Sequence, residues 1–268
     1  FFGRMVNHEP LCLFAIFIQL IGYVTFKQNT SKSGLAWLCC GILLGGLIDW
    51  GSFFFVAALV GVETINALRK RPRSILLLIT AIGVATAIFI FDLWHFWYAG
   101  HGSLTAFYEV LSRDHQKFNF VKFCFGQIDI FRRYYTHAGL ISSLIIVICL
   151  ARSQLSLSKS IFNVSEAKLI KNLLAITGIA AVGYVLAAPS WAKIHMYWQF
   201  YFLPFVILSM TLVWSSLWRK NAISRSRVFR TLAMFFVLEV IVTSAYMLHF
   251  RHTRTGSYAV KQTAKFRA

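Results

Sequence analysis

Residues Gly34 to Val62 read GLAWLCCGILLGGLIDWGSFFFVAALVGV, and how this stretch is divided decides the fold. One membrane-crossing helix needs roughly 20 apolar residues. The stretch is too long for a single upright crossing, and its one charged residue, Asp49, would then lie deep in hydrocarbon, where a carboxylate is expensive. Divided at Asp49-Trp50-Gly51, it becomes two short apolar helices joined by a turn whose acid reaches water. Positive charge separates the two readings, because Lys and Arg concentrate on the cytoplasmic side of membrane proteins. With two helices, fifteen Lys and Arg fall on one side in about 50 residues, against twelve in about 77 on the other. With one helix the split becomes 13 to 14 and the bias vanishes. The division is therefore expected, with the Asp49 turn at the outer surface.

Working outward, further apolar segments of spanning length run from Pro10 to Phe26, Ser74 to Trp97, Asn172 to Ala188, Phe200 to Trp218 and Thr231 to Phe250, with a shorter one from Ala138 to Ala151. The expected fold is all-α: a polytopic membrane protein of about eight transmembrane helices. Residues 1–250 form the multi-span domain, with an outer loop at 98–137, and residues 251–268 form a basic tail. The composition agrees, since 58% of the 268 residues are hydrophobic, 13% are charged and the mean hydropathy is +0.65. A soluble globular protein is excluded by that balance. The net charge of +18 would point to nucleic acid in a soluble chain; lying between apolar segments, it reads as a topology signal, and no nucleic-acid partner is expected. Tryptophan favours the membrane interface, and Trp50, Trp94, Trp97, Trp191 and Trp198 fall at outer ends, Trp37, Trp214 and Trp218 near inner ones. The five cysteines lie mostly inside spans with no C-x-x-C pair, which suggests neither a zinc site nor a disulfide framework. Phe1 with no signal peptide ahead of the first span suggests a chain that begins within a longer protein.

Polar groups collect on the outer face. Arg4-Met5-Val6-Asn7-His8-Glu9-Pro10 places a guanidinium, an imidazole and a carboxylate at the water boundary, a set able to hold a metal ion or a phosphate. The plainer reading is a polar helix flank with Pro10 in the first turn. Asp49 is a turn former or a functional acid. Asp92, with His95 nearby, lies in the outer third of its span, and Glu239 lies deeper. The outer loop mixes aromatic and charged residues, is expected to lie on the membrane surface as amphipathic segments, and ends in the basic pair Arg132-Arg133. That pair suits a lipid phosphate or a snorkelling interface. Trp191, Lys193, His195, Tyr197, Trp198, Tyr201 and Pro204 form a further aromatic and basic cluster that suits a sugar phosphate or an aromatic belt. No G-x-x-x-x-G-K-[ST], H-E-x-x-H or G-x-S-x-G motif is present, so nucleotide hydrolysis, zinc proteolysis and serine hydrolysis have no support.

Three segments together resemble the polyprenyl-phosphate-sugar-dependent glycosyltransferases of GT-C type. They are Arg4 to Leu11 leading into a helix, Gly41 to Gly51 ending in the Asp-Trp turn, and His195 to Pro204 opening a late helix. The group includes the family 39 type, protein O-mannosyltransferase-like and aminoarabinose-transferase-like. The resemblance implies transfer of a sugar from a polyprenyl-phosphate donor to an acceptor at the outer surface, in a bacterial inner membrane with the active face outward. It implies a catalytic acid on an earlier outer loop, absent from this chain. Glu9 matches the family's second acidic position, and with His8 would support catalysis or bind a divalent metal ion as cofactor. Asp49 resembles the turn near the donor, His195 and Tyr197 the late-helix start facing the same cavity. Arg4 or the Arg132-Arg133 pair would contact the donor phosphate, with membrane lipids around it. The alternative class is a transporter or flippase of a lipid-linked sugar or other amphiphile, which would place acids or broken helices near the midplane.

Overall fold

The computed structural model describes residues 9–69, 72–100, 102, 120–135, 137–151, 164–187 and 201–219, with isolated positions at 234, 238 and 242. Among the described residues all regular structure is helical: α1 (Glu9–Asn29), α2 (Lys32–Ile48), α3 (Gly51–Leu68), α4 (Pro72–Ala99), α5 (Phe120–Tyr134), α6 (His137–Ala151), α7 (Val164–Ala187) and α8 (Leu203–Arg219). Four of these are long and apolar enough to cross a bilayer, over Leu11–Asn29, Gly51–Leu68, Arg73–Ala99 and Glu166–Ala187. The chain is an integral membrane protein by that measure. The segment Thr231 to Phe250 and the tail at 251–268 lie almost wholly outside the described residues.

The division of Gly34 to Val62 is present. Asp49 leaves the helix in an extended conformation (φ −159°) as the C-cap of α2, its N–H donating to the Gly45 carbonyl at 2.9 Å. Ser52 N–H then donates to the Asp49 carbonyl at 3.2 Å and starts α3. Two helices differ in extent from the apolar segments. α3 continues past Val62 to Leu68 and takes in Glu63 and Asn66, both buried. α7 begins two turns before Asn172, because Glu166, Lys168 and Lys171 are good helix formers.

Close backbone approach shapes the first hairpin. α1 and α2 are joined through Thr30 and Ser31 only, and Ser31 caps α2 through its hydroxyl, which accepts from Gly34 N–H at 3.1 Å. Thr30 sits at φ +53°, a conformation a β-branched residue rarely adopts. Along the contact, a Cβ on Gly34 would lie 2.5 Å from the Phe26 nitrogen, and one on Gly41 2.6 Å from the Gln19 nitrogen. Small residues that let backbones touch are how membrane helices gain dispersion contact where lipid is as apolar as their side chains.

A continuous buried core of α1, α2, α3, α4 and α7 includes Ile16, Tyr23, Leu38, Phe55, Leu77 and Ile176. α7 bridges to a second group, in which Leu174 packs with Ile146 of α6 and Phe205 of α8. α4 is the least covered of the four long helices, 22% buried over its apolar window, and presents Ile75, Ile79 and Ile90 outward. In lipid, such an apolar face needs no further partner.

Candidate functional site

Two polar clusters form, one at each end of the bundle. At the first, Tyr201 donates its hydroxyl to Asp49 Oδ2 in a short hydrogen bond that joins the turn after α2 to the approach of α8. Gly51 permits this, because a Cβ there would stand 2.5 Å from Cζ of Tyr201. Tyr201 is buried and packs edge-on against Tyr184 of α7 at 4.4 Å, which in turn meets Phe54 at 5.3 Å. Cys12, three residues into α1 from Glu9, borders Tyr201. The start of α1, the Asp49 turn and the entry to α8 therefore share one end of the molecule. Trp50 extends that end toward α4, with ring centroids 6.5 Å from Phe89 and 6.2 Å from Phe96, the residues that flank Asp92 on that helix. One carboxylate oxygen of Asp92 is buried there with no hydrogen-bond partner.

The opposite end holds a cluster that the sequence reading passed over. Glu63 is fully buried. Its Oε1 accepts from the Tyr23 hydroxyl at 2.8 Å and from Asn66 Nδ2 at 3.1 Å, and its Oε2 accepts from Lys27 Nζ at 2.5 Å. Lys27 also donates to the Ser74 hydroxyl at 3.2 Å, and Asn172 Nδ2 donates to the Tyr23 oxygen at 3.0 Å. Residues of α1, α3, α4 and α7 meet in this network. Between the two ends, the Gln19 amide donates to the Gly41 carbonyl at 3.0 Å and to the Ser52 hydroxyl at 2.7 Å, binding α1, α2 and α3 in mid-bundle. A signal for the Glu63 cluster does exist in sequence: an acid one residue past the apolar stretch, and a lysine at the end of the preceding hairpin's first helix. Ending the apolar segment at Val62 hid it.

Of the expected site residues, Asp49 is placed at the first cluster. Glu9 opens α1 at that same end, and the backbone of Arg132 and Arg133 continues α5; the side chains of these three lie outside the described residues. Arg4, His8, His195, Tyr197 and Glu239 also lie outside the described residues. Tyr201, expected only as a member of the late-helix cluster that suits a sugar phosphate or an aromatic belt, is the hydrogen-bond partner of Asp49. Among the described residues, no group of three or more His, Cys, Asp or Glu side chains could hold a metal ion; the pairing of Glu9 with His8 falls outside that set. Comparison with known proteins gives no significant match: no family model, no curated protein and no solved structure resembles the chain.

Proposed function

We propose that the chain is the membrane domain of a glycosyltransferase that moves a sugar from a polyprenyl-phosphate donor to an acceptor at the end of the bundle marked by Asp49. The observation that carries this reading is the Asp49–Tyr201 hydrogen bond, which draws two separate segments of the family resemblance into one place. Glu9, from the third segment, starts α1 at the same end. In the proposed reaction an acceptor hydroxyl oxygen bonds to the anomeric carbon, the bond from that carbon to the phosphate oxygen breaks, and the lipid phosphate leaves with the electron pair. The acceptor proton passes to a carboxylate base, assigned by the resemblance to an outer loop preceding Phe1. Glu9 with His8 would support that step or hold a divalent ion. Asp49, fixed by Tyr201, would orient donor hydroxyls. Arg4, the Arg132-Arg133 pair and His195 with Tyr197 would receive the phosphate and sugar.

The topology proposed with it is eight spans in a bacterial inner membrane, the Asp49 end outward. α2, α6 and α8 are shorter apolar helices that pack among the long ones, and at about 1.5 Å per residue a 17-residue helix falls only a few ångströms short of the roughly 30 Å hydrocarbon core. The apolar run from Thr231 to Phe250 would, by its sequence, be the eighth span. The buried acid Glu63 lends no weight to a transporter, because Tyr23, Asn66 and Lys27 already occupy its oxygens.

The test uses membranes containing the full-length protein and a radiolabelled sugar linked to polyprenyl phosphate. Glu9→Gln and Asp49→Asn are each expected to lower donor consumption by 10-fold or more, on the order of what a lost catalytic or orienting group costs, with the amount of inserted protein unchanged. Unaltered consumption in both variants would overturn the reading.

A further inference from the structure

Helix α5 divides its surface three ways. One side packs on protein: Phe123 is buried with Val185 at the end of α7, Cys124 and Phe202 complete the contact, and Phe131 meets Phe202 edge-on at 4.7 Å. A second side carries Val121, Phe125 and Ile128, spaced at i, i+4 and i+7, which leave 61%, 69% and 62% of their surfaces uncovered. Lys122 and Gly126 open a third side, turned away from both, and Lys122 is exposed. At 100° per residue these three stripes lie roughly a third of a turn apart.

We infer that α5 is an interfacial helix whose Val121-Phe125-Ile128 stripe dips into the acyl region of the leaflet at the Asp49–Tyr201 end of the bundle while its Lys122 side meets the headgroups. Water is a poor neighbour for three large apolar side chains at helical spacing. The bilayer is the occupant already at hand. Val185, against which Phe123 packs, is followed on α7 by the exposed Leu186, so α5 is seated on a membrane-crossing helix that itself presents apolar surface next to the contact. A basic residue beside an apolar stripe is the pattern of a helix lying in the interface plane. The contact also reaches the candidate site, since Phe202, gripped by Phe131, is the next residue after Tyr201. Lipid insertion of α5 thus sets the depth of the Asp49–Tyr201 junction. The inference is independent of glycosyl transfer and would stand if that reading failed.

Two measurements test it in vesicles of phosphatidylethanolamine and phosphatidylglycerol. In a chain whose five native cysteines are replaced by alanine, nitroxides at Phe125→Cys and Ile128→Cys are expected to collide at least several-fold more with oxygen than with a water-soluble nickel chelate, and the ratio should invert at Lys122→Cys. Higher nickel access at the first two positions would place them in water. Protection from both reagents would place them under protein, such as a second copy. Either result overturns the inference. In the unsubstituted protein, a lipid with a photoactivatable diazirine near the glycerol end of its acyl chain is expected to label the peptide containing Phe125. Labelling of α4 without that peptide would equally overturn it.

Discussion

Glu63 is a charge that the fold can hold only because α1 supplies Tyr23 and Lys27 and its own helix supplies Asn66 as donors. Removing one partner of a buried ion pair leaves the other uncompensated, which costs about 3–5 kcal/mol. Glu63→Ala is expected to destabilise by about that much, measured by unfolding in mixed detergent and dodecyl sulfate. Lys27→Met combined with Glu63→Leu should cost less than Glu63→Ala alone, since no buried charge then remains. Tyr201→Phe removes a single hydroxyl and its bond to Asp49, and a net loss of about 1–3 kcal/mol follows for a hydrogen bond to a charged group. The acid at position 49 was legible from sequence because hydrocarbon tolerates a carboxylate poorly and a turn relieves it. Its partner was not, because 152 residues separate them and only the packing of α3 on α7, and of α7 on α8, brings Tyr201 to the turn.

At the scale of elements, the glycines sort by what surrounds them. Gly41 faces the backbone of α1, and Gly41→Ala is expected to cost about 1–3 kcal/mol through overpacking. Gly83 in α4 has nothing within 4 Å of where a Cβ would stand, so Gly83→Ala should stabilise by about 0.5–1 kcal/mol through helix propensity. The same unfolding measurement reads both. Finding the two equal would remove the close α1–α2 contact from the account. Helix positions were well read from runs of apolar residues, since a segment near spanning length bounded by charges leaves few alternatives. Helix ends were read less well. α3 runs past the apolar stretch because Glu63 and Asn66 find hydrogen-bond partners there, and α7 because Glu166, Lys168 and Lys171 are good helix formers; hydropathy counts such residues as loop.

For the whole molecule, alternating helix directions put the Lys27–Glu63 cluster and the Asp49–Tyr201 cluster at opposite ends of the bundle, and the proposed topology sets the Asp49 end outward. In cells, a membrane-impermeant maleimide is expected to reach Tyr98→Cys from outside and Ser33→Cys only after permeabilisation; the reverse pattern would invert the proposed orientation. The proposed orientation rests on the asymmetry of Lys and Arg in the sequence. Which helices touch was not readable, because lipid-facing and helix-facing residues are equally apolar. The two-residue link between α1 and α2 has one more consequence, for the order in which the chain is made. A hairpin that tight, with backbones in contact along its length, is expected to insert as a pair, with Lys27 and Tyr23 placed while α3 is still being synthesised. Glu63, arriving later in the chain, would then find its counter-charge and its hydroxyl donor already in place.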